Sequence, residues 1–275
     1  YGTYNQPPGT WSDDSSLTLA TVASMGRTGK IDPTDIMDNF FMWLDDGAYT
    51  PYGSVFDVGG STRKAISRYA NGIEPLNCGG KTRMDNGNGA LMRILPLAFV
   101  PHTAQDVFKV GKLTHAHEIS QTACRLYVHL ARKLIEGTPA KEAICSLAYL
   151  PPVAHMKEFE RIAYIGELNR DEIKSSGYVV DTLEAALWCL WTTNNYRDCV
   201  LTAVNLGEDT DTVAAVAGGL AGIVYGCGGK NGIPTRWINQ IARKEWIQML
   251  CDDSRAHKVQ NDNDDDRVNV AGGKQ

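Results

Sequence analysis

Helix start and stop signals recur along almost the whole chain, and few runs alternate with period two between turns. Asp32-Pro33-Thr34-Asp35 reads as a cap, a proline at the first helical position and an acid in the first turn. Ile36, Phe40, Trp43 and Leu44 follow at helical spacing, and Gly47 closes the segment. Thr103 with Asp106 opens another helix. The stretch from Glu118 to Glu136 is amphipathic and stops at Gly137, and Thr138-Pro139 starts the next helix. Asp181-Thr182-Leu183-Glu184 is close to a capping box, with its helix running to about Thr192. Asn195 with Asp198 caps a helix that ends near Gly207, and Asp211-Thr212 opens one made of small residues, Val213 to Tyr225. The pattern predicts an all-α protein of about ten helices.

The formal net charge of −5 and the lack of a Lys/Arg cluster exclude nucleic acid as a main partner, because a phosphate backbone requires a basic footprint. No apolar run approaches the roughly 18–20 residues of a membrane span, so no membrane association is expected. The seven cysteines are odd in number and form no CxxC pair. Several lie inside apolar helical runs, as Cys189 does, and are expected to be buried and reduced in a cytoplasmic protein. One catalytic domain is expected over 1–250, followed by a polar, Asp/Asn-rich and disordered tail at 251–275. A monomer is expected.

Two acidic motifs stand ahead of helical runs. The first is Trp11-Ser12-Asp13-Asp14-Ser15, and the second is Gly207-Glu208-Asp209-Thr210-Asp211-Thr212. Carboxylates and hydroxyls are hard oxygen ligands suited to Mg²⁺, Mn²⁺ or Ca²⁺. Asp209 and Asp211 can converge on one point from a turn, whereas Asp13 and Asp14 splay apart and can serve two ions. Four converging anions without a cation would repel one another strongly. The competing reading makes both motifs ordinary helix caps, since Asp and Ser are routine there and the helix dipole favours them.

Other segments carry weaker signals. Residues 72–89 are rich in Gly and Asn, which suits a functional loop. Within it, Asp85-Asn86-Gly87-Asn88-Gly89 leads into a helix at Ala90-Leu91-Met92-Arg93, a turn type that exposes backbone N–H groups to phosphate. An ordinary turn is the alternative, and Arg93 reads as a structural ion-pair partner. Thr114-His115-Ala116-His117-Glu118 is not a zinc-protease motif and reads as a helix junction with a capping histidine. The small-residue helix reads as a close-packing surface. Loops 45–60 and 72–85 carry no readable chemistry, although they would shape the choice of acceptor.

Taken together, these segments resemble the ADP-ribosylglycohydrolase family. The resemblance rests on Trp11-Ser12-Asp13-Asp14, Asn88-Gly89-Ala90-Leu91-Met92-Arg93-Ile94-Leu95-Pro96, Thr114-His115, Gly177-Tyr178 through Ala186, Asn205 through Thr212, and Ile233-Pro234, in family order over roughly residues 9–240. It implies a compact multi-helix orthogonal bundle with a dimetal cleft that holds two divalent metal ions, Mg²⁺ or Mn²⁺. Carried over by position, Ser12, Asp13, Asp14, Asp209, Asp211 and Thr212 are metal ligands. Asn88, Gly89 and Met92 line the ADP-ribose pocket, and His115 lies near the diphosphate or ribose. Ser12 stands where Thr is more usual and keeps the hydroxyl. Family members usually carry an N-terminal helix with a Gly-Asp-Ala-Leu-Gly stretch and a Glu that completes the metal site. This sequence starts after that point, and truncation is the expected reason.

The implied activity is metal-dependent hydrolysis of the bond between the anomeric ribose carbon of ADP-ribose and a protein side chain, arginine foremost. Asp13 or Asp14 would take the proton of the attacking water. The partner would be an ADP-ribosylated protein or a small ADP-ribose conjugate. An ADP-ribose-binding module without activity, and a hydrolase of a small ADP-ribose ester or related nucleoside glycoside, are the competing readings.

Overall fold

The computed structural model describes residues 3–253. Its α-helices are α1 (Asp13–Thr28), α2 (Pro33–Asp46), α3 (Gly60–Ala70), α4 (Ala104–Lys112), α5 (Glu118–Ile135), α6 (Ala140–Ser146), α7 (Pro151–His155), α8 (Val179–Thr192), α9 (Tyr196–Val204), α10 (Thr210–Tyr225) and α11 (Thr235–Gln240). Residues 244–253 are also helical, and the rest of the tail expected at 251–275 lies outside the described residues. Among the described residues there are no strands, only isolated bridges, which bears out the all-α expectation. No described helix is long and apolar enough to cross a membrane.

Most boundary signals act as expected. The Asp32 carboxylate accepts from the Thr34 and Asp35 N–H groups at the start of α2, and Gly47 ends it at φ +70°. Such a cap stabilises a helix by about 1 kcal/mol. Thr103 and Asp106 form a reciprocal capping box on α4, and Asn195 caps α9. Two expectations fail. Helix α8 begins at Val179 without a side-chain cap: Asp181 instead accepts from Ser176 Oγ, and Glu184 pairs with Arg161 at 2.9 Å. The segment after Gly89 forms two short 3-10 turns, Leu91–Arg93 and Leu95–Phe99, in place of an α-helix. Pro96 has no N–H to donate and so cannot carry an α-helical ladder through this run.

The core is built where α5, α8 and α10 pack on one another, with α9 against α10 and α4 against α5. Helix α10 approaches its neighbours most closely at Gly219, where it presents no side chain. A Cβ at Gly219 would come 2.7 Å from Leu95 Cδ2 and 2.8 Å from Tyr127 Oη, and the Tyr127 hydroxyl donates to the Val216 carbonyl at 2.9 Å. On the other side, α1 lies on α2, where Phe40 and Trp43 are buried. Side chains of that size contribute about 1.5–3 kcal/mol each on burial. These layers bring the entrances of α1 and α10 together.

Two short bridges lock the loops between. Gly80 N–H donates to the Thr114 carbonyl at 3.1 Å, and Ala116 N–H donates back to Gly80 at 2.7 Å. Asn88 N–H donates to Gly177 at 3.0 Å, and Val179 N–H to Asn86 at 3.0 Å. The first bridge requires Gly79, where a Cβ would lie 2.1 Å from the Lys112 carbonyl oxygen and 3.1 Å from His115 N. The obstacle is backbone, which cannot rotate away. Gly79→Ala is therefore expected to destabilise the fold by about 1–3 kcal/mol, the cost of overpacking. Chemical denaturation of the two proteins measures it, and an unchanged midpoint would show that the loop yields freely.

Candidate functional site

The carboxylates of both acidic motifs meet at the entrances of α1 and α10. Ser12 precedes α1 but makes no side-chain cap, and neither does Asp209 ahead of α10. The helix-cap reading of these motifs is thereby set aside, since their oxygens are turned toward one another. Ser12 Oγ lies 2.9 Å from Asp14 Oδ2 and 3.1 Å from Asp211 Oδ2, so one hydroxyl bridges two carboxylates 197 positions apart in the chain. The Thr212 hydroxyl also donates to Asp14. Asp209 is held from the far side, because Asn88 Nδ2 donates to its Oδ2 at 2.8 Å and to Thr182 Oγ1 at 3.0 Å. Its backbone N–H is tied to the Ser175 carbonyl at 3.0 Å.

Asp57 also belongs to this group, and the sequence reading passed over it. It lies in the loop before α3 at φ +54°, against Asp211, and accepts from the Tyr4 hydroxyl at 2.5 Å. The neighbouring Gly59 N–H donates to the Asp13 carboxylate. A signal was present: Asp57-Val58-Gly59-Gly60-Ser61-Thr62 is a third acid-plus-hydroxyl motif at a helix entrance. Loop 45–60 thus holds chemistry, at Asp57, that the sequence reading found unreadable.

Burial, then the charges of Asp14, Asp57 and Asp211, push the Asp13 carboxyl far above the ordinary carboxylate range. Burial and the charge of Asp211 push Asp14 up as well, against the pull of the Ser12 hydroxyl. Burial also raises Asp57. Among the described residues no Lys or Arg forms an ion pair with any of these carboxylates. Asp14 Oδ1 is buried and accepts no hydrogen bond from the described residues. An orphaned oxygen among like charges is a donor set that suits a hard divalent cation. Among the described residues no three acidic, imidazole or thiol side chains are already gathered as a finished cation cage. The hydroxyls of Ser12 and Thr212 add oxygen donors beside Asp14 and Asp211, so by donor chemistry Ser12, Asp13, Asp14, Asp209, Asp211 and Thr212 suit such an ion, with Asp57 beside them.

Above the carboxylates opens a cleft of about 230 Å³. Asp13, Asp57, Asp209 and Thr212 line it together with Asn88, Gly89, Met92 and His115. The four expected pocket residues therefore line the same space as the acidic cluster. Asn88 does more than line it, because its amide fixes Asp209. His115 is buried, with its ring against the bare backbone of Gly89, whose Cβ would fall 2.8 Å from Cε1. The cap of α5 is supplied by His117, whose Nδ1 accepts from Ile119 N–H at 3.3 Å. The junction reading thus holds for His117 and not for His115. Arg93 corrects another expectation: fully buried, it makes no salt bridge among the described residues and stacks on the Phe40 ring at 4.6 Å.

Comparison with known proteins fits this geometry. The family model described as ADP-ribosylglycohydrolase matches residues 1–265. An ADP-ribosylarginine hydrolase, Tri1, of Serratia proteamaculans is 32% identical over 262 residues, covering 91% of this chain and 68% of the relative. The ADP-ribosyl-dinitrogen reductase glycohydrolase of Rhodospirillum rubrum is 32% identical over 242 residues, covering 86% of this chain and 75% of its own length. A solved chain from an ADP-ribosylglycohydrolase-related protein complex superposes with a TM-score of 0.74 at 30% identity, over 93% of this chain and 84% of that one. With the match spanning nearly its whole length, this chain belongs to the ADP-ribosylglycohydrolase family, a family of hydrolases.

Proposed function

We propose that the chain removes ADP-ribose from modified protein side chains, arginine foremost, by hydrolysing the bond at the anomeric ribose carbon. The observation that carries this reading is a set of carboxylates with no basic ion-pair partner among the described residues, lining one cleft with Asn88, Gly89 and His115. The relatives named for ADP-ribosylarginine and ADP-ribosylated dinitrogen reductase support the substrate class. Ser12, Asp13, Asp14, Asp209, Asp211 and Thr212 would hold two divalent cations, Mg²⁺ or Mn²⁺. Once bound, these would neutralise the carboxylates, acidify a water molecule and orient the ribose hydroxyls.

The chain's own groups then divide the work. A base must be reachable by water, and Asp13 lines the cleft while Asp14 is enclosed by Ser12 and Thr212. Asp13 is thus favoured over Asp14 to take the proton, with Asp57 in the same cleft to orient the attacking water. The water oxygen bonds to the anomeric carbon, and its proton passes to Asp13. The carbon–nitrogen bond breaks with its electron pair going to the guanidino nitrogen, which takes up the proton that Asp13 accepted from the water and leaves as guanidinium, so that Asp13 is restored. The reacting carbon is cation-like as the bond breaks, which the carboxylates lining the cleft favour. Asn88 keeps Asp209 from turning away. The unpaired, buried thiols of Cys78, Cys124, Cys189 and Cys199 support a reducing compartment such as the cytoplasm.

Release of ADP-ribose from arginine-ADP-ribosylated protein tests the reading. With Mg²⁺ or Mn²⁺ the chain should release it, and chelator should stop release. Asp211→Ala should lower the rate about 100-fold or more. ADP-ribose binding without release under either metal would make the chain a binding module. Release from small conjugates alone would shift the substrate class.

A second test reads stability. The folded-state pKa of Asp13 is raised above its unfolded value, so the native chain holds a proton that the unfolded chain loses above about pH 4. Its contribution therefore becomes more destabilising as the pH rises from there. In chelator, Asp13→Asn should be more stable than the unmodified chain by about 1–2 kcal/mol at pH 8. The difference should shrink toward pH 4, while hydrolysis is lost at both. Equal stability at pH 8 would mean that the repulsion is relieved in some other way.

A further inference from the structure

We infer that Arg93 and Thr114 are positioning residues that fix His115 as a neutral donor, with its proton on Nε2 and facing the cleft. The chain of contacts begins in the core. Arg93 Nη2 donates to the Val110 carbonyl at 3.2 Å and to Thr114 Oγ1 at 2.8 Å, while its guanidinium lies over Phe40. Its Nε and Nη1 are buried without hydrogen bonds. Thr114 is fully buried, and its Oγ1 also lies 2.8 Å from His115 Nδ1.

A threonine hydroxyl has one proton to give, and a guanidinium accepts nothing. Oxygen lone pairs of Thr114 receive the Arg93 N–H. The buried hydroxyl proton then needs an acceptor, and among its described partners His115 Nδ1 is the one that can accept it. Nδ1 therefore presents its lone pair to Thr114. A neutral imidazole with Nδ1 as acceptor carries its proton on Nε2. Burial, and then the adjacent positive charge of Arg93, disfavour a second proton and hold His115 down at about pKa 3. The ring is also held through its backbone, whose carbonyl accepts from Gln121 Nε2.

Nε2 sits on the open side of the ring. Gly87 and Gly89 pass beside it, where a Cβ on either would lie 3.5 or 3.4 Å from Nε2, and among the described residues nothing accepts its proton. His115 thus offers a directed N–H to an acceptor oxygen of the ligand and cannot serve as a base there, since its lone pair is already committed to Thr114. The buried charge of Arg93 gains a purpose without touching ligand. It orients Thr114, which sets the tautomer. The ligand half of this inference rests on the ADP-ribose reading; the tautomer does not.

The test is nitrogen NMR on the full chain with ¹⁵N-labelled histidine, the His115 signals being assigned by their loss in His115→Gln. Nδ1 should be a pyridine-type nitrogen and Nε2 a pyrrole-type one in the ligand-free protein. A pyrrole-type Nδ1 would overturn the inference outright. Thr114→Val should give a mixture of tautomers and bind ADP-ribose about fivefold to tenfold more weakly by calorimetry. Thr114→Ser should restore both. A single unchanged tautomer and unchanged affinity in Thr114→Val would remove Thr114 from its role. Should Thr114→Val fail to fold, the spectrum of the unmodified chain still decides the tautomer. If that spectrum is as expected but ADP-ribose does not bind, the substrate reading fails while the assignment of His115 stands.

Discussion

Mutual repulsion among the carboxylates at the entrances of α1 and α10 is the constraint around which the molecule is arranged. Asp13 and Asp14 are buried beside Asp211 and Asp57 with no basic ion-pair partner among the described residues. Left to themselves, such groups would move apart or draw in water. They stay together because each is held from behind by something rigid. Ser12 and Thr212 bridge Asp14, the Asn88 amide holds Asp209, and the Gly59 backbone holds Asp13. The unfavourable electrostatics are offset by apolar burial such as that of α5, α8 and α10, where packing leaves no room for a side chain at Gly219. Stability is spent at the cleft and recovered in the core.

The segments that line the cleft are built on different principles. Asp13, Asp14 and Asp211 stand in the first turn of a helix and Asp209 just ahead of one, where the dipole softens the cost of negative charge. Elsewhere in the lining the chain runs as irregular backbone through Asn86, Gly87, Asn88 and Gly89, pinned by an isolated bridge to Tyr178, while a second bridge joins Gly80 to His115. Asn86 illustrates the pinning: its Oδ1 accepts from Ser120 N–H and Oγ, while its Nδ2 donates to the Arg83 carbonyl. The loop is thereby a fixed surface despite its glycine content, and a ligand would meet it without having to order it first.

The helical architecture was legible because its signals are local. Asp32, Thr103 and Asn195 each act on N–H groups two or three residues away, so the motif and its consequence lie in one short window. The two dense acidic motifs were legible for the same reason. Asp57 was not, because it is a single acid in its loop and gains meaning from contacts with Tyr4 and Asp211, far away in the chain. Arg93 was misread because an arginine in sequence implies a carboxylate partner, whereas the fold gives it an aromatic ring and a hydroxyl. At Asp181-Thr182-Leu183-Glu184 a sound local pattern was overridden by tertiary partners, Ser176 and Arg161, that claimed the two acids first. Helix geometry at Leu91 yielded to Pro96 and to the bridge that fixes Asn88.

The hydrogen bond between Ser12 and Asp211 spans 199 residues of chain. At a synthesis rate of about 5–20 residues per second, the ribosome would need roughly 10–40 s to reach Asp211 after adding Ser12. For all that time the α1 segment carries Asp13 and Asp14 without their counterparts, and nothing forces the four acids into one place. The costly electrostatics are therefore postponed until most of the apolar core is already available to bear them. A nascent chain that stalled before α10 would lack Asp211 and Thr212 and so hold only part of the acidic cluster. Assembly order thus places the close approach of the carboxylates late, when the chain that must withstand it is nearly complete.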